Sequence, residues 1–543
     1  MQLKPWYRYL YRLLTRLKEG EFESDFMHHL ENNHNWNPED IQEWPLDMPL
    51  LYFSDNDPLT LRDAYMGIGI FGATGSGKTS SSGQAIARAF LRHNLGGLVI
   101  CSKHDEAKQW LRWAKQEKRE KSIIHVTPDK DIVFNFLKHE MSVSGGDELE
   151  NILEIFNRVM EITAAGDLSK GENSYFYEAN QELLRNAITL SQLAYGEVTL
   201  LDMYNIVRSA PMSKEEAESA SWMKESDCGR AITFVADKLR HKLHEGQHVP
   251  WEQEFILSKN YFLLSYPGMG DRLRSSITSI FSSSIDPWLR GKLWELFSRS
   301  DEEINPITGK KPFVLKPQYS VQGAIILFDY PAKTSYVGKL SQSLYKLIWQ
   351  RQMERRDINE DGGRGVFLFA DEAQIVTLPQ KDAEFAQTAR SSRVITTLIS
   401  QNISNYHIAF GDGQHGVNQT ESLFGNIGTL IFHANTHDKT NGWASDIIGS
   451  NWSMQASTSH GDSSGYSSNE QGSSYNSGDN QNVSYSEQHR AEVEKRDFTL
   501  LTNGGKENNY YTQAIVTQAG RIWSATETNY MYATFYQYPE LNS

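Results

Sequence analysis

Residues 72–79 read Gly-Ala-Thr-Gly-Ser-Gly-Lys-Thr, set between the apolar run Met66-Gly67-Ile68-Gly69-Ile70 and the helix-like segment QAIARAFLRH. A G-x-x-x-x-G-K-[ST] pattern in this strand, loop, helix context restricts the chain to folds in which a buried strand delivers a tight turn onto a helix N-terminus. The glycines let backbone N–H groups curl inward toward phosphate oxygens, and the helix end adds partial positive charge. Gly72, Ala73, Thr74, Gly75, Ser76, Gly77, Lys78, Thr79 and Ser80 are therefore the candidate nucleotide-binding residues. Lys78 is expected to reach the β- and γ-phosphates and the Thr79 hydroxyl to sit on the metal, which makes ATP and Mg²⁺ the expected cofactors.

Magnesium held by a hydroxyl also needs a carboxylate from a neighbouring strand. The segment GRGVFLFADEAQ offers one, because Val366 to Phe369 read as a buried strand ending at Asp371 and Glu372. Asp371 is the candidate metal residue, and Glu372, one position on, is placed to polarise an attacking water. Further along, FAQTARSSRVITTLISQN puts Gln401 at the carboxyl end of the strand VITTLIS, where ligands gather in parallel sheets. Arg390 is expected on the helix preceding that strand and better aimed outward, which suits an arginine finger acting on a neighbouring subunit.

Short apolar runs alternate with helical segments from about Met66 to Val126, and the pattern returns in VQGAIILFDY, GVFLFADEA, RVITTLIS and GTLIFHAN. This predicts an α/β class domain with parallel strands. Between the two stretches the sequence turns helical. The expected organisation is an N-terminal helical segment over 1–50, the motor domain over 51–144 and 316–451, an inserted all-helical domain over 145–315, and C-terminal strands over 489–543 completing the motor. Residues 452–488 are so rich in Ser, Asn, Gly and Gln that they are expected to form a disordered loop. A hairpin turning at Gln518 to Gly520 is expected after it.

The 543 residues carry a formal net charge of −15, which lowers the expectation of a nucleic-acid partner without excluding a basic lining inside an acidic ring. Two distant cysteines, Cys101 and Cys228, suggest neither a disulfide framework nor a zinc site. No apolar stretch approaches the roughly 20 residues that span a bilayer. The reading is a cytoplasmic protein, with peripheral contact at the inner face of the membrane left open by the basic, amphipathic KPWYRYLYRLLTRLKEG.

GATGSGKT, GGLVICSKHDE, FNFL at 134–137, FLFADEAQ, the ARSSR…ISQN block and GNIGTLIFHANTHDKTNGWASDIIG together resemble the TraD/TraG-like conjugative coupling ATPases of type IV secretion, within the HerA/FtsK-like group of ring-forming DNA motors. The resemblance implies a RecA-like P-loop NTPase domain with an inserted all-α domain, assembly into a hexamer, and ATP-driven passage of DNA through a central pore. It carries Lys78, Thr79, Asp371 and Glu372 over as nucleotide and metal groups, Arg390 as the finger, and Gln401 as the γ-phosphate sensor. It also implies secretion-channel or relaxosome protein partners. Such proteins usually begin with transmembrane helices, and no such segment is read here. A pore would need basic residues such as Arg272, Arg274, Lys333 or Lys439. Two other accounts stay open: a secretion ATPase acting on protein partners, and a nucleotide-gated interaction scaffold.

Overall fold

The computed structural model describes residues 44–143, 148–164, 174–411, 413–469 and 472–537. The expected N-terminal amphipathic helix lies outside the described residues. In chain order the strands are β1 (Pro49–Ser54), β2 (Asp57–Thr60), β3 (Ile68–Phe71), β4 (Gly96–Ile100), β5 (Ile123–Val126), β6 (Ile132–Val133), β7 (Phe313–Val314), β8 (Ile325–Phe328), β9 (Val366–Asp371), β10 (Val394–Ser400), β11 (Thr429–His433), β12 (Ser450–Asn469), β13 (Gly472–Ala491), β14 (Tyr511–Gln518) and β15 (Tyr530–Tyr536). The chain divides into two compact units, one of Ala87–Thr397 with residues 44–46, the other of Asp47–Ile86 with Leu398–Ser543.

In the first unit β9, β4, β8 and β5 run parallel in that order, with Ile100 opposite both Ala370 and Phe328. β4, β8 and β9 are buried along their whole length because both faces are covered, whereas the edge strand β5 carries the half-buried His125. Phe90 and Trp110 stack on Phe367, with ring centroids 5.0 and 5.9 Å away. The helical segment leaves and rejoins this unit through β6 and β7, which pair in parallel. Its helices follow the 3.6-residue period. Glu148–Ala164 buries Ile152, Ile155, Phe156, Val159 and Met160 on one stripe, and Thr199 and Ser226 cap the helices Leu200–Arg208 and Asp227–His244 by accepting from Asp202 N and Gly229 N.

The second unit orders its strands β15, β14, β11, β3, the first three antiparallel and the last pair parallel. Phe71, Phe424, Phe432 and Trp443 form its aromatic centre, Phe71 lying 5.1 to 5.9 Å from the other three rings. Gly69 sits where a Cβ would come within 2.7 Å of Leu430 Cδ2, so the strand before the glycine-rich loop needs a glycine to lie against β11.

Two expectations are corrected in this unit. Residues 452–488 are not an unstructured loop: β12 and β13 form an antiparallel ribbon paired from Ser450↔Ala491 to Asn469↔Gly472. Ser- and Asn-rich chain buries little apolar surface, but in this two-stranded ribbon the backbone donors and acceptors satisfy one another. The hairpin after it also differs. Its return strand is β15, with Thr517 opposite Tyr530, and residues 519–529 are a loop instead of the second strand. Trp523 is the reason: it is a fully buried plug, edge-on to Phe53 at 5.5 Å, with Arg521 over its ring at 4.1 Å.

Asp57 pins that loop. Its carboxylate accepts from Ser524 N at 2.9 Å, Ala525 N at 3.1 Å and Ser54 Oγ at 2.5 Å. Burial by itself would raise this carboxyl, but the bonds from Ser54, Ser524 and Ala525 more than offset that and hold it at about 2. A depressed carboxyl contributes stability above its unfolded value, which is lost as pH falls from about 4 toward about 2. Asp57→Ala is expected to cost about 1–3 kcal/mol at neutral pH and to flatten that acid limb in urea unfolding curves. An acid limb as steep as the parent's would place the effect elsewhere.

Candidate nucleotide site

β3 ends at Phe71 and the chain enters the glycine-rich loop directly. Ala73 N donates to Ala434 O at 2.9 Å, which ties the loop to the residue following β11. Gly75 and Gly77 take φ of +82° and +85°, a conformation that costs other residues strain. Beyond the loop a wide turn, Thr79–Gly83, closes with Gly83 N donating to Lys78 O at 2.8 Å and leads into the helix Gln84–Arg92. Lys78 is buried, Thr79 and Ser80 are half-buried, and Thr74 and Gly75 are exposed. Ser76 Oγ is buried with no hydrogen-bond partner among the described residues. A loop that turns on two left-handed glycines, holds a buried ammonium and keeps the Ser76 hydroxyl unsatisfied fits a polyphosphate, whose oxygens offer that hydroxyl an acceptor.

Sequence reasoning missed His433, the last residue of β11. Its Nε2 is joined to Ser82 Oγ by a 2.7 Å hydrogen bond, and Ser82 Oγ in turn donates to Lys78 O at 3.2 Å. Burial first, and then the nearby Lys78 ammonium, push the imidazole down to about 3, so it is neutral at physiological pH. A neutral ring under the loop adds no charge to compete with Lys78. Gln401 stands where expected, one residue past β10, and its backbone O accepts from Asn435 Nδ2 at 2.9 Å. Since Asn435 follows the residue that holds Ala73, the structure brings Gln401 and the loop to neighbouring strand ends of one unit.

In the other unit β9 is buried throughout and delivers Asp371 and Glu372 at its carboxyl end. Asp371 O accepts from Ser102 Oγ at 2.6 Å, and Asp371 Oδ1 accepts from Glu372 N at 2.9 Å. Glu372 is 4% exposed and sits in the left-handed region at φ +50°, unusual for a residue with a side chain. Its Oε2 accepts from Gln374 Nε2 at 2.9 Å, and Lys333 Nζ stands 3.8 Å from Oε1. Glu106 joins this group unforeseen. Its Oε2 accepts from Ser102 N at 2.6 Å, and burial together with the neighbouring Asp371 charge pushes its carboxyl up to about 8. The segment SKHDE that carries it was recognised as a motif, but nothing in the spacing said that Glu106 folds back onto Ser102. The hard oxygens of the Thr79 hydroxyl and the Asp371 carboxylate are the donor types magnesium prefers.

Arg390 lies just beyond the helix Pro379–Thr388 and is exposed. Of the basic residues named for a pore, Arg274 is unsuited: it is buried, donates to Pro267 O and Met269 O, and is paired with Asp271. Arg272 is exposed, and Lys439 lines a surface cavity of about 490 Å³ with Asp438, Asp446 and Lys495.

Residues 365–491 match the family model of the TraM recognition site of TraD and TraG. No curated protein matches the chain. Among solved structures, the unbound bacterial conjugative coupling protein TrwBdeltaN70 aligns over 91% of this chain and 89% of its own, at 12% identity and a TM-score of 0.52. The plasmid coupling protein TrwB in complex with ADP and Mg²⁺ aligns over 92% and 91%, at 11% identity and a TM-score of 0.53. TrwB in complex with the ATP analogue ADPNP gives the same coverage and TM-score at 13% identity. The fold is thus α/β, a largely parallel sheet with an inserted helical segment like that of these coupling proteins, and over residues 365–491 the chain is similar to TraD and TraG. Among the described residues no helix is long and apolar enough to cross a membrane.

Proposed function

We propose that this chain, TraD/TraG-like in its fold and over residues 365–491, is an ATP-driven DNA translocase of the conjugative coupling type. The observation that carries the reading is the glycine-rich loop with its buried Lys78 and unsatisfied Ser76 hydroxyl, set in a fold whose relatives hold ADP with Mg²⁺ and an ATP analogue. Lys78 takes the β- and γ-phosphates. Thr79 and Asp371 are the residues that would hold Mg²⁺, which when bound neutralises phosphate charge. Glu372 polarises the lytic water, Gln401 senses the γ-phosphate, and Arg390, exposed beyond its helix, reaches the nucleotide of a neighbouring copy in a hexameric ring. ATP clamps one interface and hydrolysis releases it, so the ring grips DNA by turns through affinities that differ between nucleotide states. The match to a TraM recognition model adds a relaxosome-type protein partner, and peripheral contact at the inner face of the membrane would fall to the basic N-terminal segment KPWYRYLYRLLTRLKEG.

DNA gripped by its backbone is gripped through phosphate, and such binding weakens steeply with salt. Steady-state ATP turnover is therefore expected to rise several-fold on adding DNA at low salt and to lose that stimulation as salt is raised. Turnover indifferent to single- and double-stranded DNA at every salt concentration contradicts the translocase reading and favours protein cargo.

A further inference from the structure

The last described residue of the chain lies against the glycine-rich loop. Gln537 follows β15, its backbone N donating to Tyr510 O at 2.7 Å. Its side-chain amide is held at both ends: Oε1 accepts from Gly505 N at 2.7 Å, and Nε2 donates to Ser80 Oγ at 2.6 Å. Two glycines make room for it. A Cβ on Gly504 would stand 1.8 Å from Gln537 Oε1, and one on Gly77 would stand 2.8 Å from Nε2 and 2.6 Å from Thr512 Cγ2. Gly77 is thus required twice over, by its positive φ and by the approach of β14 and Gln537.

We propose that Gln537 is a positioning residue for the nucleotide, acting through Ser80 on the α-phosphate. A serine hydroxyl has one proton and two lone pairs. The Gln537 amide occupies a lone pair of Ser80 Oγ, so the proton must point away from the amide. The acceptor it finds among the described residues is Gly77 O, at a long 3.4 Å. A hydroxyl just past the Lys-Thr pair at the start of the helix, donating weakly and aimed by a fixed amide, is ready to donate to the phosphate nearest that helix end. Gln537 also closes the space over Gly77, and thereby fixes the loop in the curl that directs its N–H groups inward. The effect belongs to binding and is the same for ATP and ADP, since both carry the α-phosphate.

This inference rests on the reading of the loop as a nucleotide site, and the experiment separates the two. The full chain is titrated with fluorescent ADP and assayed for ATP turnover, as the parent, Gln537→Ala, Gln537→Met and Gln537→Glu, each also in a Ser80→Ala background. Loss of the amide in Gln537→Ala and Gln537→Met is expected to weaken ADP binding and raise KM for ATP about tenfold, with kcat at saturating ATP within about twofold. Gln537→Glu, which turns a donor into an acceptor beside phosphate, is expected to lose more. In the Ser80→Ala background the Gln537→Met penalty should fall to near zero, because Met still fills the space over Gly77 and only the amide contact to the hydroxyl is lost. Thermal melting of the nucleotide-free chain checks that each variant folds, and Gln537→Met, which keeps the side-chain length, carries the test if Gln537→Ala does not. Unchanged affinity in Gln537→Met, or the same penalty with and without the Ser80 hydroxyl, overturns the proposal. A parent chain that binds no nucleotide at all overturns the reading of the loop instead.

Discussion

Glu372→Gln is expected to keep nucleotide bound and to lower ATP turnover by about 10²–10⁴-fold, the contribution typical of a positioned general base. The local geometry makes the substitution a clean one. Glu372 is fixed in the left-handed region by the turn that follows β9, where Ile375 N donates back to Glu372 O at 3.0 Å, and its own N–H is taken by Asp371 Oδ1. Gln occupies the same volume, can still accept from Gln374, and carries no charge with which to draw a proton from water. Lys78→Ala should behave oppositely. It removes the ammonium buried in the loop, so affinity for fluorescent ADP and for ATP collapses, and turnover falls because the site is empty. The pair is read by measuring binding and single-turnover hydrolysis on the same preparations. Parental turnover in Glu372→Gln removes that residue from the base role, and parental affinity in Lys78→Ala removes phosphate from the loop.

Much of this site was legible because its parts sit at the ends of short, wholly apolar runs. β3 and β9 are buried on both faces, so their sequences carry no polar interruption until the residue at which chemistry begins, Gly72 in one case and Asp371 in the other. Gln401 was placed by the same logic at the end of β10. His433 and Gln537 escaped for a shared reason, since each reaches its partner through the order of strands and not through spacing along the chain; Glu106 escaped for a local one. His433 meets Ser82 because β11 lies beside β3, Glu106 meets Ser102 by folding back at the head of its helix, and Gln537 arrives from the far end of the chain after β15. The failures elsewhere were failures of composition. Ser- and Asn-rich sequence was read as unable to order, whereas β12 and β13 pair along a backbone ladder, and Ile522-Trp523 was read as strand when Trp523 serves as a buried plug. Charge was equally misleading at Arg274, whose guanidinium is spent on carbonyls of the segment just before its own helix.

The helix Pro379–Thr388, which joins the Glu372 turn to Arg390, is anchored by a buried ion pair, and removing its acid should cost the fold dearly. Asp382 is paired with Lys346, both buried, and it also accepts from Gln350 Nε2 at 2.8 Å and from Leu378 N at 2.7 Å. Asp382→Ala strands the Lys346 ammonium in the interior, opens the helix start at Leu378, and is expected to destabilise the chain by about 3–5 kcal/mol. Burial already lowers the Lys346 pKa, against the opposing pull of Asp382, so losing the carboxylate lowers it further. A lysine that titrates lower in the folded than in the unfolded state binds fewer protons when folded, and the stability of Asp382→Ala should therefore rise with pH until the unfolded lysine also loses its proton, near 10.4. Adding Lys346→Met should recover most of the loss, because an apolar pair has no charge to desolvate. Urea unfolding at several pH values reads all three effects, and a penalty below about 1 kcal/mol with no dependence on pH would mean that water reaches Lys346, contrary to the burial on which the prediction depends.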